Sequence, residues 1–475
     1  MSISSAFANA RSGLALNARA AELVGSNIAN AQSANHARQD IVANTMQTGG
    51  VGVGQIVRAS DPIAMASRLS ALGGAEASVA MASGATQIAN LMGNSDGSIG
   101  LAASLNKLGI ALSQAAVSPD NQSAALSVVT AAQQVGNDFN DAANGLRDIR
   151  NQADASIAGR IDMLNDRLGA IDALNADIVS ATARRENTAA LEQERDGYIV
   201  DIAQHIPISV INRGDGQVAL FSSRGAALLD GAPTEFGFKA VGVVADDASV
   251  ADGTVSGLTM NGLAIDHGPK GLLAGGGLSA DFVVRDVTVP GAQASLDELA
   301  AGLLVRLESA DATLAAYEGG ILSDAGSAYN PGTSSGLAAR IGLNPALSDP
   351  ATSVEHLKSG LGSRAADSSN LLSALTTSLT RKDADLVGSG DPSARDIAGH
   401  AASISGNLHV TAYRTEEAST TAAARSLAAD VTHAQRVGVD SDQQLQQLLQ
   451  IENAYAANAR VIAIADAMMQ QLLEL

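Results

Sequence analysis

The chain has 475 residues, enough for about three domains and a sizeable core. Hydrophobic residues make up 46% of it but aromatics only 2%, six Phe, five Tyr and no Trp, so the apolar side chains are mostly small aliphatics that suit closely packed helices. With 49 acidic and 29 basic residues the net charge is −20, which repels a polyphosphate and excludes nucleic acid as an expected partner. The absence of Cys excludes disulfides, thiolate zinc sites and a cysteine nucleophile. No run approaches about 18 consecutive apolar residues, and no basic stretch followed by an apolar one opens the chain. Neither membrane insertion nor a cleaved signal peptide is expected.

At the N-terminus, Ile3, Phe7, Ala10, Leu14, Asn17, Ala21, Val24 and Ile28 follow a 4-3-4-3 spacing, the seam of a helix made to pair with another helix. Residues 31–60 turn polar and then Gly-rich, from Gly49 through Val53 to Gly54. A phosphate-binding loop would need a preceding strand and a following Lys-Ser or Lys-Thr, both absent, so the glycines predict a turn or short hairpin.

From Pro62 to about residue 204 the pattern is helical, with breaks near residues 93–98 and at Ser118-Pro119-Asp120. The clearest face carries Ile161, Leu164, Leu168, Ile171 and Ile178. The charged run Glu192, Glu194, Arg195 and Asp196 reads as a solvated face. After Pro207 the period drops to two, with Gly214-Asp215-Gly216 and Asn261-Gly262 as hairpin turns, giving a β-rich insert over residues 206–289 that Pro290 closes. Leu296, Leu299, Leu303 and Leu307 restart a helix; residues 320–350 form a long loop. Ile397, Ala401, Ile404 and Leu408 mark a further helical face.

The C-terminus repeats the opening rhythm through Leu448, Ile451, Tyr455, Asn458, Ile462, Ala465, Met469 and Leu472, after a capping-box pattern at Ser441-Asp442-Gln443-Gln444. Antiparallel pairing with Ile3 opposite Leu472 would put Asn17 level with Asn458, where a buried Asn pair sets register. Ala occupies several seam positions, so each helix is marginal alone and is expected to order on assembly.

None of the seven histidines, His36, His205, His267, His356, His400, His409 and His433, has metal-ligand spacing, and no Ser lies in a nucleophile-elbow motif. The sequence therefore offers no catalytic, metal or cofactor-binding residue, and the chain is read as a non-enzyme. The fold class expected is mainly α with an inserted β-rich domain. A discontinuous terminal coiled-coil domain comprises 1–60 and 437–475, a helical-bundle domain 61–205 and 290–436, and an outer β domain 206–289.

Ser4-Ser5-Ala6-Phe7, Ser12-Gly13-Leu14, and Asn27-Ile28-Ala29-Asn30-Ala31 followed by Arg38-Gln39 form one block; Asn453-Ala454-Tyr455 through Ile462 and Ala465-Asp466 form another. Together they resemble the flagellar rod, hook and hook-associated axial proteins, with Asn27, Ile28, Ala29, Asn30, Arg38 and Gln39 as the family motif. Leu191-Glu192-Gln193-Glu194-Arg195-Asp196, Ile206-Pro207-Ile208, and Phe282 with Arg285-Asp286, Pro290 and Gln293 are similar to the hook-filament junction members. The sequence departs from the family at Ser33-Ala34-Asn35-His36-Ala37 and at Gln443-Gln444. The resemblance implies a structural protein exported by the flagellar type III apparatus without a cleaved signal peptide, placed in an extracellular ring between hook and filament. It also implies partners: further copies of itself, hook protein, the second hook-filament junction protein, and an export chaperone at the C-terminal helix. A hook or rod protein is the alternative within the family, and a secreted cell-wall enzyme on an axial scaffold the alternative outside it.

Overall fold

In the computed structural model, residues 3–33, 36–46, 49–52, 54–94, 96–365, 370–383 and 394–473 are described, with the side chains of Leu472 and Leu473 left aside. Helix α1 (Ile3–Ala29) leads into strands β1 (Gln39–Ile41), β2 (Asn44–Thr45), β3 (Val51–Gly52) and β4 (Ile56–Arg58). Pairing of β1 with β4 and of β2 with β3 makes these four strands one antiparallel ribbon, with the expected Gly49-Gly50 turn at its tip. Of the glycine run, Val53 lies outside the described residues, as do Ala34 and Asn35 of the departing stretch.

Helix α2 (Pro62–Leu91) starts where Asp61 accepts hydrogen bonds from the Ile63 and Ala64 amides, with Pro62 in the first turn, where its missing N–H costs nothing. Helices α3 (Leu101–Val117), α4 (Gln122–Ala183) and α5 (Ala189–His205) follow. Asn121 caps α4 in the same way as Asp61 caps α2. Strands β5 (Ile208–Asn212), β6 (Val218–Ser222) and β7 (Ala227–Leu229) form one antiparallel sheet; β8 (Phe236–Gly237), β9 (Leu258–Met260) and β10 (Leu263–Ile265) form a second, in the order β10-β9-β8. Both hairpin turns expected from sequence are present: Asp215 and Gly216 take φ of 61° and 85°, Asn261 and Gly262 take 51° and 78°.

Helix resumes earlier than Pro290. Helix α6 (Gly277–Val283) passes through a π turn at Val284–Thr288 into α7 (Val289–Ala310), so Pro290 sits inside a nearly continuous helix. The rearranged ladder immediately ahead of it accommodates a residue with no amide hydrogen to donate. The predicted long loop holds a short pair, β11 (Leu322–Asp324) with β12 (Ile341–Leu343), before α8 (Pro350–Ser359), α9 (Leu371–Thr380), α10 (Ile397–Val437) and α11 (Ser441–Leu473). The cap of α11 is Asp440, whose carboxylate accepts from the Asp442 and Gln443 amides, and not Ser441 as the capping-box pattern suggested.

Helix α4, 62 residues and so about 93 Å long, runs through two apolar cores. Its first half, Ala125 to Ala153, packs with α3, α7, α9 and the start of α10. Its second half, Ile157 to Ile171, packs with α5, α6 and the two three-stranded sheets. The predicted face of Ile161, Leu164, Leu168, Ile171 and Ile178 is wholly buried, because a 3.6-residue stripe this apolar has no stable position in water.

Between the cores lies Arg285, fully buried. It donates to Asp154 at 2.7 Å and in a fork to both oxygens of Asp286 at 2.8 and 2.9 Å, and its guanidinium lies over the rings of Phe282 and Phe238. Asp154 also accepts from the Val241 amide, and Arg150 donates to the carbonyls of Arg285 and Ala245. This knot holds the segment around residues 241–256 onto α4. Removing one partner of such a buried pair costs about 3–5 kcal/mol, because the other charge is left without compensation.

A second cluster joins α2, α4, α5 and α6. Arg160 donates to Glu76, Asp281 and the Nδ1 of His205, the last at 2.6 Å. Burial and the adjacent Arg160 charge push His205 down to about 4. The folded state therefore holds His205 neutral while the unfolded chain takes up its proton near pH 6.5, so stability conferred here is present above that pH and is lost as pH falls toward 4. Urea midpoints measured from pH 7 to pH 5 should decline in the wild type, and His205→Gln should flatten the decline; an equal slope in both proteins contradicts this assignment.

Candidate assembly interface

The two ends of the chain meet. Helix α1 packs antiparallel to α11: Gly13 lies against Asn458, and fourteen residues on, Asn27 lies against Gln444, fourteen residues before Asn458. The pairing is offset by one helical turn from the alignment of Ile3 with Leu472, so Asn458 faces Gly13 and not Asn17. The physical reason is size: a Cβ on residue 13 would stand 2.7 Å from the Asn458 amide nitrogen, and glycine leaves the room that side chain occupies.

At the other end of the contact, Asn27 is 1% exposed. Its Nδ2 donates to the Gln444 side chain and to the Gln39 carbonyl, both at 2.9 Å, while its Oδ1 accepts from the Gln39 amide. One amide thus satisfies groups on α1, the ribbon and α11 together. The ribbon runs back along α1, where the Val51 amide donates to Ser12 Oγ and the Gly50 backbone comes so close that a Cβ would meet Ser12 Oγ at 2.6 Å. Gly50 also has φ of +87°, open to glycine at little cost.

The predicted seam residues fall unequally. On α1, Ala10 and Val24 are buried and Ile3, Phe7, Leu14, Asn17, Ala21 and Ile28 half-buried. On α11, Ala465 is buried and Leu448, Ile451, Asn458 and Ile462 half-buried, whereas Tyr455 and Met469 remain 48% and 43% exposed. The Leu472 side chain lies outside the described residues. Of the motif residues, Asn27 is buried, Ile28, Asn30, Arg38 and Gln39 half-buried, and Ala29 exposed. The asymmetry arises because α1 is covered by α11 on one flank and by the ribbon on another, while among the described residues the extensive packing of α11 is against α1. Beyond the seam, α11 also exposes Leu445, Leu449, Val461, Ile464 and Met468.

Sequence reasoning did not place Gly13, Leu23 or Gln444 in the pairing face. For Gln444 the signal was available, since the 4-3 spacing of the C-terminal seam continues backward from Leu448 to residue 444.

The terminal unit is seated on the rest of the chain through few polar ties. The Arg38 amide donates to the Val437 carbonyl at 2.8 Å, Arg58 pairs with Asp196 on α5, and His36 lies within hydrogen-bond distance of Gln193. The charged run on α5 is thus not a solvated face throughout: Arg195 is buried, and Asp196 holds the base of the ribbon. Among the described residues, no group of three His, Asp or Glu could hold a metal ion, and no helix is long and apolar enough to cross a membrane.

Two family matches fall on separate parts of this architecture. Residues 85–314, which contain α4 and the Arg285 knot, match the helical domain of the flagellar hook-associated protein FlgK; residues 434–475, which contain α11, match the C-terminal domain of the flagellar basal body rod FlgEFG proteins. The chain belongs to the flagellar hook-associated protein FlgK family. As a member of that family it is a flagellar hook-associated structural component. It is also similar to the solved structure of the flagellar hook junction protein FlgK from Burkholderia pseudomallei, at 18% identity and a TM-score of 0.44. That similarity covers 54% of this chain and 46% of the other, so the match spans less than half of that protein. No curated protein matches the chain.

Ile462 tests the pairing face. A carboxylate at this half-buried position loses solvation without gaining a partner, so Ile462→Asp should abolish motility while the purified protein keeps the wild-type urea midpoint of its helical body. Normal motility contradicts the role of this face.

Proposed function

We propose that the chain forms the ring joining hook to filament in the bacterial flagellum. It acts as a non-catalytic adaptor between two axial structures of different mechanics. The observation that carries this reading is the incomplete cover of α11: one face lies on α1, yet Leu449, Tyr455, Ile464 and Met468 stay exposed in the isolated chain. An apolar surface of this kind on a helix already paired once calls for further helices, and repeated copies around an axis would supply them through heterologous contacts. The seam residues of α1 and α11 would then form the inner coil of the ring, and the two three-stranded sheets would lie farther from its axis.

In this reading the neighbours are further copies of the same chain, hook protein on one side and the second hook-filament junction protein on the other. An export chaperone would cover the exposed face of α11 before assembly. The chain would pass unfolded through the type III flagellar apparatus and reach the cell exterior without a cleaved signal peptide. The Asn27 hydrogen bonds and the Gly13 contact would be made as the ends order in place.

Deletion of the gene tests the proposal. Electron microscopy should show hooks without filaments, and immunoblots should find flagellin shed into the medium. Loss of hooks as well would move the chain to the hook or rod, and normal filaments would overturn the axial role.

A further inference from the structure

Where the terminal unit meets the body, a cavity of about 290 Å³ opens between the base of the ribbon, the start of α2, α5, the β5–β6 hairpin and the end of α10. Arg195 lines it and is only 7% exposed. Its Nη1 is held by the side-chain oxygen of Asn175 at 3.1 Å and the Gly216 carbonyl at 2.6 Å, which fixes the guanidinium in place. Its Nε has no hydrogen-bond partner among the described residues.

The carboxylates around the cavity are engaged elsewhere. Asp196 pairs with Arg58, Asp61 accepts two amides at the start of α2, and Glu192 accepts from the Thr188 hydroxyl. Arg213, also in the wall, pairs with Asp230. Arg195 therefore has carbonyl-type acceptors but no carboxylate bonded to it. Burial pushes its guanidinium below the ordinary value, with Asp196 and Glu192 opposing the shift and Arg58 adding to it. The first two turns of α2, from Pro62 to Leu69, wall the same space.

A buried guanidinium with an unbonded Nε, at the wall of a cavity large enough for an amino-acid side chain, selects an anion that can accept in its plane. We propose that this cavity is a carboxylate-binding site, filled in the assembled flagellum by an acidic side chain of a second copy of the chain. The second copy is the source favoured by charge: the chain carries 49 acidic residues and a net charge of −20, and α4 alone exposes Asp141, Asp148, Asp162, Asp166 and Asp177. Occupation would fasten the joint beneath the terminal unit as a neighbour arrives. The carboxylate site stands on the cavity itself; its occupant rests on the assembly role proposed above.

Two experiments separate the site from its occupant. In the full-length protein with 15N at arginine Nε, the Arg195 resonance, assigned by its loss in Arg195→Lys, should shift and saturate with glutarate and stay unmoved with the neutral glutaramide. No shift with glutarate, or an equal shift with both, overturns the site and leaves a hydrated cavity. In assembled flagella, a photo-crosslinking residue replacing Met65 in the cavity wall should capture an Asp- or Glu-containing peptide of a second copy. Capture of only another flagellar protein, or of nothing, overturns the second copy as occupant even where glutarate binds. Absence of the chain from purified flagella counts against the assembly role instead.

Discussion

Asn27 is buried where the first helix, the ribbon and the last helix come together, and its amide is bonded to both of the other two elements. The positions of the chain ends depend on this contact. Gln444 lies 417 residues away in sequence, and bringing it to Asn27 closes the chain on itself at a large cost in conformational entropy. A polar contact suits that closure better than an apolar one. Hydrophobic seams slide by a turn with little penalty, whereas a buried amide placed one turn out of register leaves donors and acceptors unmet.

The same constraint explains why the terminal unit is asymmetric. Helix α1 is enclosed by α11 and by the ribbon that runs along it from Gln39 to Gly50, so most of its apolar residues are covered within one chain. Among the described residues, helix α11 packs extensively against α1 and no other element. Its exposed Leu, Ile, Met and Tyr residues make a monomer that is complete in its body and unfinished at its end, the physical condition for a subunit that adds to a growing axis. The body is built the other way. Its two cores share α4 and are locked at their boundary by Arg285, Asp154 and Asp286, which suits a part that keeps its shape while its neighbours change.

Much of this was legible in the sequence because it follows from period. The α4 face from Ile161 to Ile178, the helix of Leu296 to Leu307 and the hairpin at Asn261-Gly262 each follow from a 3.6- or 2-residue repeat and a turn residue with an obvious role. What escaped depends on partners distant in sequence. The register of α1 on α11 rests, beside the Asn27 contact, on a glycine that periodicity counts as neutral. The cap at Asp440 competes with a capping-box pattern one residue later. Pro290 looked like a boundary because its conflict with helix is local, while the π turn that absorbs it is not encoded by any residue type. Arg195 belongs to a charged run that on most helices faces water, and only the convergence of five elements encloses it.

Immunogold labelling of intact flagella with an antibody to residues 236–265, the sheet-forming segment assigned to the outside of the ring, tests the central claim most directly. The account predicts gold in a single narrow band where hook meets filament. Label spread along the filament, confined to the hook or rod, or missing from flagella whose subunit composition includes the chain would contradict it.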